Sequence, residues 1–151
     1  MELKKITAAE DKQRIARAVL EALPDWFGIE ETREQYIRES GEHLFFAAED
    51  KDESIGFLCL KETGKTTVEL AVMGVKQPWH RQGIGRRLFQ LAKEAASQQG
   101  YHFMQVKTVK MGCYEDYDRT NLFYQSLGFE EMEVLPLWDE QNPCQIYIMA
   151  L

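Results

Sequence analysis

The sequence has little of what marks disulfide-rich, metal-binding or membrane-spanning proteins. Its 3 cysteines and 3 histidines are scattered over 151 residues and show neither a disulfide nor a zinc-ligand spacing. No apolar run approaches the length needed to cross a bilayer, and the residues that follow Met1 lack the apolar core of a signal peptide. We therefore expect a cytoplasmic protein with reduced cysteines, no metal and no membrane partner.

The sequence also has no excess of basic over acidic residues. The formal net charge is −7, and because binding to a nucleic-acid backbone requires a basic face, we expect no nucleic-acid partner. The composition, 44% hydrophobic and 28% charged, is that of an ordinary globular protein, and the length suits a single domain over residues 1–151. Arginines nevertheless cluster at one turn, which suggests a small anionic cofactor and a cationic second substrate.

That turn lies in the stretch His80–Leu88, where a strand pattern ends and a helix pattern begins. Gly83 and Gly85 allow the backbone to turn sharply and to bring N–H groups close to a ligand, and the start of a helix attracts phosphate. The stretch lacks the Gly-Lys-Ser/Thr of a Walker loop, and the third glycine of a dinucleotide fingerprint would fall at Leu88. An anion-binding turn is favoured, and a glycine-rich turn without a ligand is the alternative.

Hydrophobic periodicity predicts the order strand, two helices, three strands, helix, strand, helix, two strands. A possible capping box, Thr7-Ala8-Ala9-Glu10, opens the first helix, and Pro24–Gly28 breaks it. A meander followed by crossover units implies an α/β (α+β) fold with a mixed, mostly antiparallel sheet of about seven strands and about four helices. The predicted strands are 3–6, 44–48, 54–60, 67–75, 101–109, 129–135 and 145–149, and the later helices are 30–40, 83–99 and 119–127.

The His80–Leu88 stretch and this element order together resemble the GNAT N-acetyltransferase superfamily over essentially the whole chain. Its acetyl-CoA signature, Arg/Gln-x-x-Gly-x-Gly/Ala, is matched by Gly83-Ile84-Gly85, although His80 occupies its first position. The resemblance implies a GNAT-like fold and acetyl-CoA as the acyl donor, held mainly by backbone N–H groups. The cofactor-binding residues that it implies in this stretch are Arg81, Gln82, Gly83, Ile84, Gly85 and Arg86.

Met73-Gly74-Val75 ends the strand before this turn. In the superfamily the corresponding strand splays from its neighbour, and its free backbone groups pair with the pantetheine arm of the cofactor. Gly74 would suit a bulge there, and an N–H group could polarise the thioester carbonyl. An ordinary strand end is the alternative.

The segment Asn121–Phe129 resembles the superfamily's second signature, in which a helix tyrosine lies near the cofactor sulfur. The resemblance implies that Asn121 and Tyr124 face the cofactor. A phenol with a pKa near 10 can protonate a departing thiolate, so Tyr124 is the candidate general acid. Tyr124 could instead fill the core beside Phe123.

Glu69 lies in an otherwise apolar strand, at a position where some superfamily members carry a glutamate base. A carboxylate there could take a proton from the incoming ammonium, directly or through water. Because alternate strand residues face opposite sides, a solvated outward side chain is the alternative.

Two loop segments combine aromatic rings with carboxylates, Asp25-Trp26-Phe27 and a run that contains Glu115, Asp116 and Asp118. Such segments can hold a cation by charge and by ring face, so we expect them to bind a small cationic primary amine, such as a polyamine or an amino sugar. A solvated acidic loop is the other interpretation.

The leading hypothesis is an acetyl-CoA-dependent N-acetyltransferase that transfers the acetyl group directly to a primary amine in a ternary complex. An acyl-CoA-binding sensor without turnover and a protein N-acetyltransferase are the alternatives. Small domains of this kind often pair through sheet edges, so a homodimer is an open expectation.

Overall fold

Seven strands form one mixed sheet in the computed structural model, which describes residues 1–151. The strand order is β1-β2-β3-β4-β5-β7-β6, and every neighbouring pair is antiparallel except β4 and β5. The predicted mixed, mostly antiparallel sheet is therefore confirmed. The strands are β1 (Glu2–Ile6), β2 (Leu44–Asp50), β3 (Glu53–Gly64), β4 (Thr67–Val75), β5 (Phe103–Val109), β6 (Glu130–Asp139) and β7 (Asn142–Ala150).

Five α-helices cover the two faces of the sheet, and none of them is both long and apolar enough to span a membrane. Both faces are apolar because the buried run of β3 alternates between two clusters: Phe57 packs with the first and third helices, and Leu58 packs with the fourth. The helices are α1 (Ala9–Leu20), α2 (Pro24–Phe27), α3 (Glu30–Ser40), α4 (Ile84–Gln98) and α5 (Glu115–Leu127).

Several helix ends differ from the sequence-based expectation. α1 begins at Ala9 with Ala8 as its N-cap, so Thr7 lies one residue too early to cap the helix and the predicted capping box is wrong. A short helix, α2, occupies the predicted break, with Pro24 in its first turn, where the missing N–H costs nothing. α5 starts at Glu115, one turn earlier than predicted, because its acidic first turn suits the positive end of a helix.

The sheet opens between β4 and β5. These strands pair only where Thr67–Glu69 lies beside Phe103–Gln105, and beyond those residues they separate. Opposite β3, residues 70 and 72 of β4 pair with consecutive residues, which leaves Ala71 as an extra, bulged residue. The separation matches the splay implied by the resemblance, but the bulge expected at Gly74 lies at Ala71.

Gly74 itself pairs regularly with Phe57. A Cβ atom at this position would lie 2.9 Å from Leu23 Cδ1 and 3.2 Å from Val19 Cγ1. The glycine is therefore required for the close approach of α1 to β4, which places α1 and the following α2 against the open end of the sheet.

Candidate active site

A cavity of about 1050 Å³ occupies the gap between the separated ends of β4 and β5. Its volume is at the upper end of that found for small-molecule sites. Parts of α2, α3, α4 and α5 and the hairpin between β6 and β7 complete its wall. The cavity therefore joins the glycine-rich turn to the loops beyond it in one continuous space.

The turn at one side of this cavity is built to receive an anion. Gly83 is the N-cap of α4 with a φ of 77°, and no side chain caps the helix. The first intrahelical bond runs from the N–H of Arg87 to the carbonyl of Gly83, so the earlier N–H groups have no partner of this kind. A Cβ atom at Gly83 would meet no atom within 4 Å, which leaves open space beside these donors. Backbone N–H groups at a helix start are ligands for phosphate.

Most of the residues predicted to bind the cofactor line this cavity, namely Met73, Gly74, Val75, Arg81, Gly83, Ile84, Gly85 and Arg86. Gln82 and Asn121 are not among them, and the exposed side chain of Gln82 donates a hydrogen bond to the carbonyl of Pro78 at 3.2 Å. This contact leaves the backbone N–H of Gln82 unaffected, so its assignment to the cofactor stays a prediction. His80, at the first position of the signature, binds the carbonyl of Val75 through Nε2 and so ties the turn to the end of β4.

A side-chain hydrogen bond connects the start of α4 to the end of α5 beside the cavity. Arg86 Nη2 donates to Ser126 Oγ at 2.9 Å, which joins the start of α4 to the end of α5. A Cβ atom at Gly85 would lie 3.2 Å from Phe123 Cζ, so a side chain there would require this ring to shift by a few tenths of an ångström. Tyr124, the next residue, is held beside the same turn.

Tyr124 lines the cavity and is 7% exposed. Its ring packs against Phe123, Phe129 and Tyr147, with centroids 5.8–6.2 Å away. Its hydroxyl has no hydrogen-bond partner within the protein, and burial raises the pKa of the phenol well above its usual value. A protonated phenol of this kind can donate to an anion in the cavity.

Asn121 is not among the residues that line the cavity, and its assignment to the cofactor stays a prediction. The side chain is fully buried, and its Nδ2 donates to the carbonyls of Val109 and Tyr117 at 2.8 and 2.7 Å. Its Oδ1 accepts a hydrogen bond from the hydroxyl of Tyr147 at 2.6 Å. The amide therefore joins α5 to β5 and β7 and has no free donor for a ligand.

Glu69 lies behind the cavity wall. Its carboxylate is 2.8 Å from Lys107 Nζ, and of the two side chains only Lys107 lines the cavity. The side chain of Glu69 is 16% exposed, so it is not the solvated outward residue of the alternative interpretation. Its role as a base stays a prediction.

The acidic cluster expected to bind the amine is not assembled. Trp26, Phe27 and Asp116 line the cavity, but Asp25, Glu115 and Asp118 do not, and their role in binding the amine stays a prediction. Asp118 accepts a hydrogen bond from the N–H of Gly112 at 2.7 Å, and Asp116 and Glu115 form ion pairs with Arg119. The carboxylates of α5 therefore lie on different sides of the helix, and most of their charge is balanced by Arg119 of the same helix.

The structure adds residues that the sequence patterns did not single out. Ile29 and residues of α3 one and two turns later face the cavity together, at the spacing of one helix face. Burial raises the pKa of Tyr36 and of Tyr117, and neither hydroxyl forms a hydrogen bond within the protein. The helical spacing was visible in the sequence, but nothing there showed that this face meets a cavity. These added residues are Ile29, Thr32, Arg33, Tyr36, Lys107, Tyr117 and Trp138.

A mixed sheet that splays beside an uncapped, glycine-rich helix start defines the fold class of the GNAT acyltransferases. Residues 40–131 match the family model described as "Acetyltransferase (GNAT) domain". The chain belongs to this family of acetyltransferases.

Solved structures share the fold over nearly the whole chain. An aminoglycoside 6′-N-acetyltransferase complexed with coenzyme A matches with a TM-score of 0.77 and 18% identity, over 99% of this chain and 97% of that chain. The PaiA N-acetyltransferase from Thermoplasma acidophilum, in complex with coenzyme A, matches with a TM-score of 0.70 and 20% identity, over 97% and 98%. A ribosomal-protein-alanine N-acetyltransferase from Brucella melitensis has a TM-score of 0.74 and 17% identity, over 100% of both chains. No curated protein matches in sequence.

Proposed function

We propose that the protein transfers the acetyl group of acetyl-CoA to the primary amine of a small molecule, by direct attack within a ternary complex. The observation that carries this proposal is one cavity that contains both the uncapped start of α4 and the unpartnered hydroxyl of Tyr124. The coenzyme A complexes of two structures with the same fold support the choice of donor.

The residues fit the parts of such a donor. The N–H groups of the first turn of α4 would hold its pyrophosphate, with Arg81 and Arg86 adjacent. The separated edge of β4, at Met73–Val75, offers backbone groups that β5 does not pair, and these would bind the pantetheine arm.

The reaction then needs proton transfers at two atoms. The amine nitrogen forms a bond to the carbonyl carbon while the carbon–sulfur bond breaks and the sulfur leaves as a thiolate. Tyr124 would protonate that thiolate, and Glu69 would take the proton of the ammonium through water near Lys107. The excess proton that the attacking nitrogen carries after the bond has formed would return to Tyr124 through water and restore the phenol, while Glu69 would release the first proton to solvent.

Gly83→Val tests the donor site. A branched side chain there would fill the open space beside the helix donors, so we expect acetyl-CoA binding, measured by calorimetry, to fall below detection. Gly100→Val is the matched control, because Gly100 follows the other end of α4, also has a positive φ of 91° and also faces open space. Both variants carry the backbone strain of a left-handed residue, and only the first touches the site.

Unchanged affinity in a folded Gly83→Val variant would refute the donor site. Binding of acetyl-CoA without release of free thiol, over a panel of amines and peptides, would indicate a sensor instead of an enzyme. Release with an N-terminal peptide alone would indicate a protein acceptor. The cytoplasmic location, the single domain and the homodimer stay predictions.

A further inference from the structure

Arg33 is a cation in the cavity wall without an acidic partner. It lies on the α3 face that lines the cavity, and its Nε is buried and forms no hydrogen bond. Its one contact is a long hydrogen bond of 3.4 Å from Nη1 to the carbonyl of Phe27.

The other cations on this side of the cavity are all compensated. Lys107 forms an ion pair with Glu69 at 2.8 Å, and Arg119 forms ion pairs with Glu115 and Asp116. Burying a charge is costly unless it is paired. Arg33 therefore differs from Lys107 and Arg119 in having no ion pair within the protein, and a negative charge from outside could balance it.

The geometry of the guanidinium shows how such a charge would be bound. Because Nε is buried within the protein and Nη1 contacts the carbonyl of Phe27, Nη2 is the guanidinium nitrogen left to donate to a ligand in the cavity. An N–H group of a guanidinium forms a strong, charge-assisted hydrogen bond with a carboxylate oxygen. Resting on the function proposed above, we propose that the acetyl acceptor is an amine that also bears a carboxylate, bound through Nη2 of Arg33.

The residues near Arg33 further restrict the class of acetyl acceptor. Apolar and aromatic side chains that lie before and after Arg33 in the sequence also line the cavity. These residues are Trp26, Phe27, Ile29 and Tyr36. An acceptor with a carboxylate, an amine and an apolar body, such as a hydrophobic amino acid, satisfies both features. Polyamines and amino sugars, the acceptors expected from the sequence, lack the anionic group.

Matched acceptor pairs test the proposal. We would compare L-phenylalanine with L-phenylalaninamide, and L-leucine with L-leucinamide, by the rate of thiol release from acetyl-CoA. The free acids should have a kcat/KM about 10–100-fold above that of the amides, as expected for a charged hydrogen-bonded pair. Arg33→Gln should remove most of this preference, and Arg33→Lys should retain part of it, because lysine keeps the positive charge but not the position of Nη2.

Arg38→Gln is the matched control, since Arg38 is an exposed arginine of the same helix that does not line the cavity. A second readout does not depend on turnover: calorimetry of N-acetyl-L-phenylalanine and its amide, with and without coenzyme A. The acid should bind more tightly, and Arg33→Gln should abolish the difference. If acetyl-CoA does not bind, the proposed function fails, while the acid–amide comparison on the free protein still decides the role of Arg33.

Three results would overturn the proposal. The first is equal or better use of the amides by the wild-type protein. The second is an Arg33→Gln variant with an unchanged acid–amide ratio. The third is a rise in the KM of acetyl-CoA alone in that variant, which would assign Arg33 to the donor.

Discussion

The hydroxyl of Tyr124 lies in surroundings that suit the release of a thiolate. It lies among aromatic rings, it has no partner in the protein, and burial raises its pKa. A raised pKa keeps the phenol protonated over the whole neutral range, so the proton is available at every pH at which a thiolate leaves. The same burial makes the phenol a weaker acid in isolation, and the thiolate it serves must therefore lie close to it.

We expect Tyr124→Phe to lower kcat by about 10²–10⁴-fold, the usual effect of losing an acid–base group, and to leave acetyl-CoA affinity unchanged. Because the phenol stays protonated, the ratio of wild-type to variant kcat should be constant between about pH 6 and 9. Steady-state thiol release and calorimetry measure the two quantities. Tyr114→Phe, at an exposed tyrosine outside the cavity, is the control, and an unaffected rate in Tyr124→Phe would assign Tyr124 to packing alone.

At this scale the sequence indicated residue types better than their surroundings. Tyr124 and the glycines of the turn follow from local patterns, because a helix start and its first donors are formed by neighbours in the chain. Asn121 binds the carbonyl of Val109 and the hydroxyl of Tyr147, and Nε of Arg33 is buried without a hydrogen-bond partner. Both properties depend on contacts between distant segments, which periodicity does not encode.

At the scale of elements, the contact between α1 and β4 sets the position of the acceptor side of the cavity. α1 packs so closely on Gly74 that any side chain there would meet Leu23 and Val19. Leu23 leads directly into α2, which carries Trp26 and Phe27 into the cavity wall. The close packing of α1 on β4 thus determines where Trp26 and Phe27 lie in the cavity wall.

We expect Gly74→Ala to lower the free energy of unfolding by about 1–3 kcal/mol, the range for overpacking a core. Gly64→Ala is the matched control in β3, because its Cβ would meet Thr67 only at an ordinary 3.9 Å. Urea denaturation measures both variants. A loss of stability in Gly74→Ala no larger than that in the control would show that α1 moves away without cost.

Element positions were largely predictable, and their ends were less so. The bounds of α3 and β4 agree with the prediction because clear turn or helix-ending signals flank both segments. The start of α5 and the cap of α1 were wrong, because a shift of one residue changes which side chain can reach the free N–H groups. The parallel pairing of β4 with β5 joins strands separated by a helix, and only the family resemblance implied its early end.

At the scale of the whole molecule, the burial of neutral phenols and thiols makes the free energy of unfolding fall as the pH rises into the alkaline range. The folded protein holds the pKa of these groups above the values they have in the unfolded chain. Their contribution is therefore fully present below the unfolded pKa values, about 8.5 for cysteine and about 10 for tyrosine, and is lost as the pH rises. The groups concerned are Tyr36, Tyr117, Tyr124, Tyr147, Cys59 and Cys144.

We expect the free energy of unfolding to fall as the pH is raised from about 8 to 11, steepest above 10. Tyr124 alone should contribute up to about 1.4 kcal/mol per pH unit above pH 10, so Tyr124→Phe should flatten the curve by that slope. Urea denaturation at a series of pH values measures this, with Tyr114→Phe again as the control. A slope above pH 10 that is the same in Tyr124→Phe and wild type would contradict the prediction.

The charged groups of the cavity wall affect which molecules can enter the cavity. Five cationic side chains line the cavity, and three of them, Arg33, Arg81 and Arg86, form no ion pair within the protein, whose net charge is −7. An extended polyanion meets the acidic exterior and is repelled, whereas a compact anion that fits inside meets the opposite field. The molecule thereby sorts anions by size, and raising the ionic strength weakens both the exclusion and the attraction.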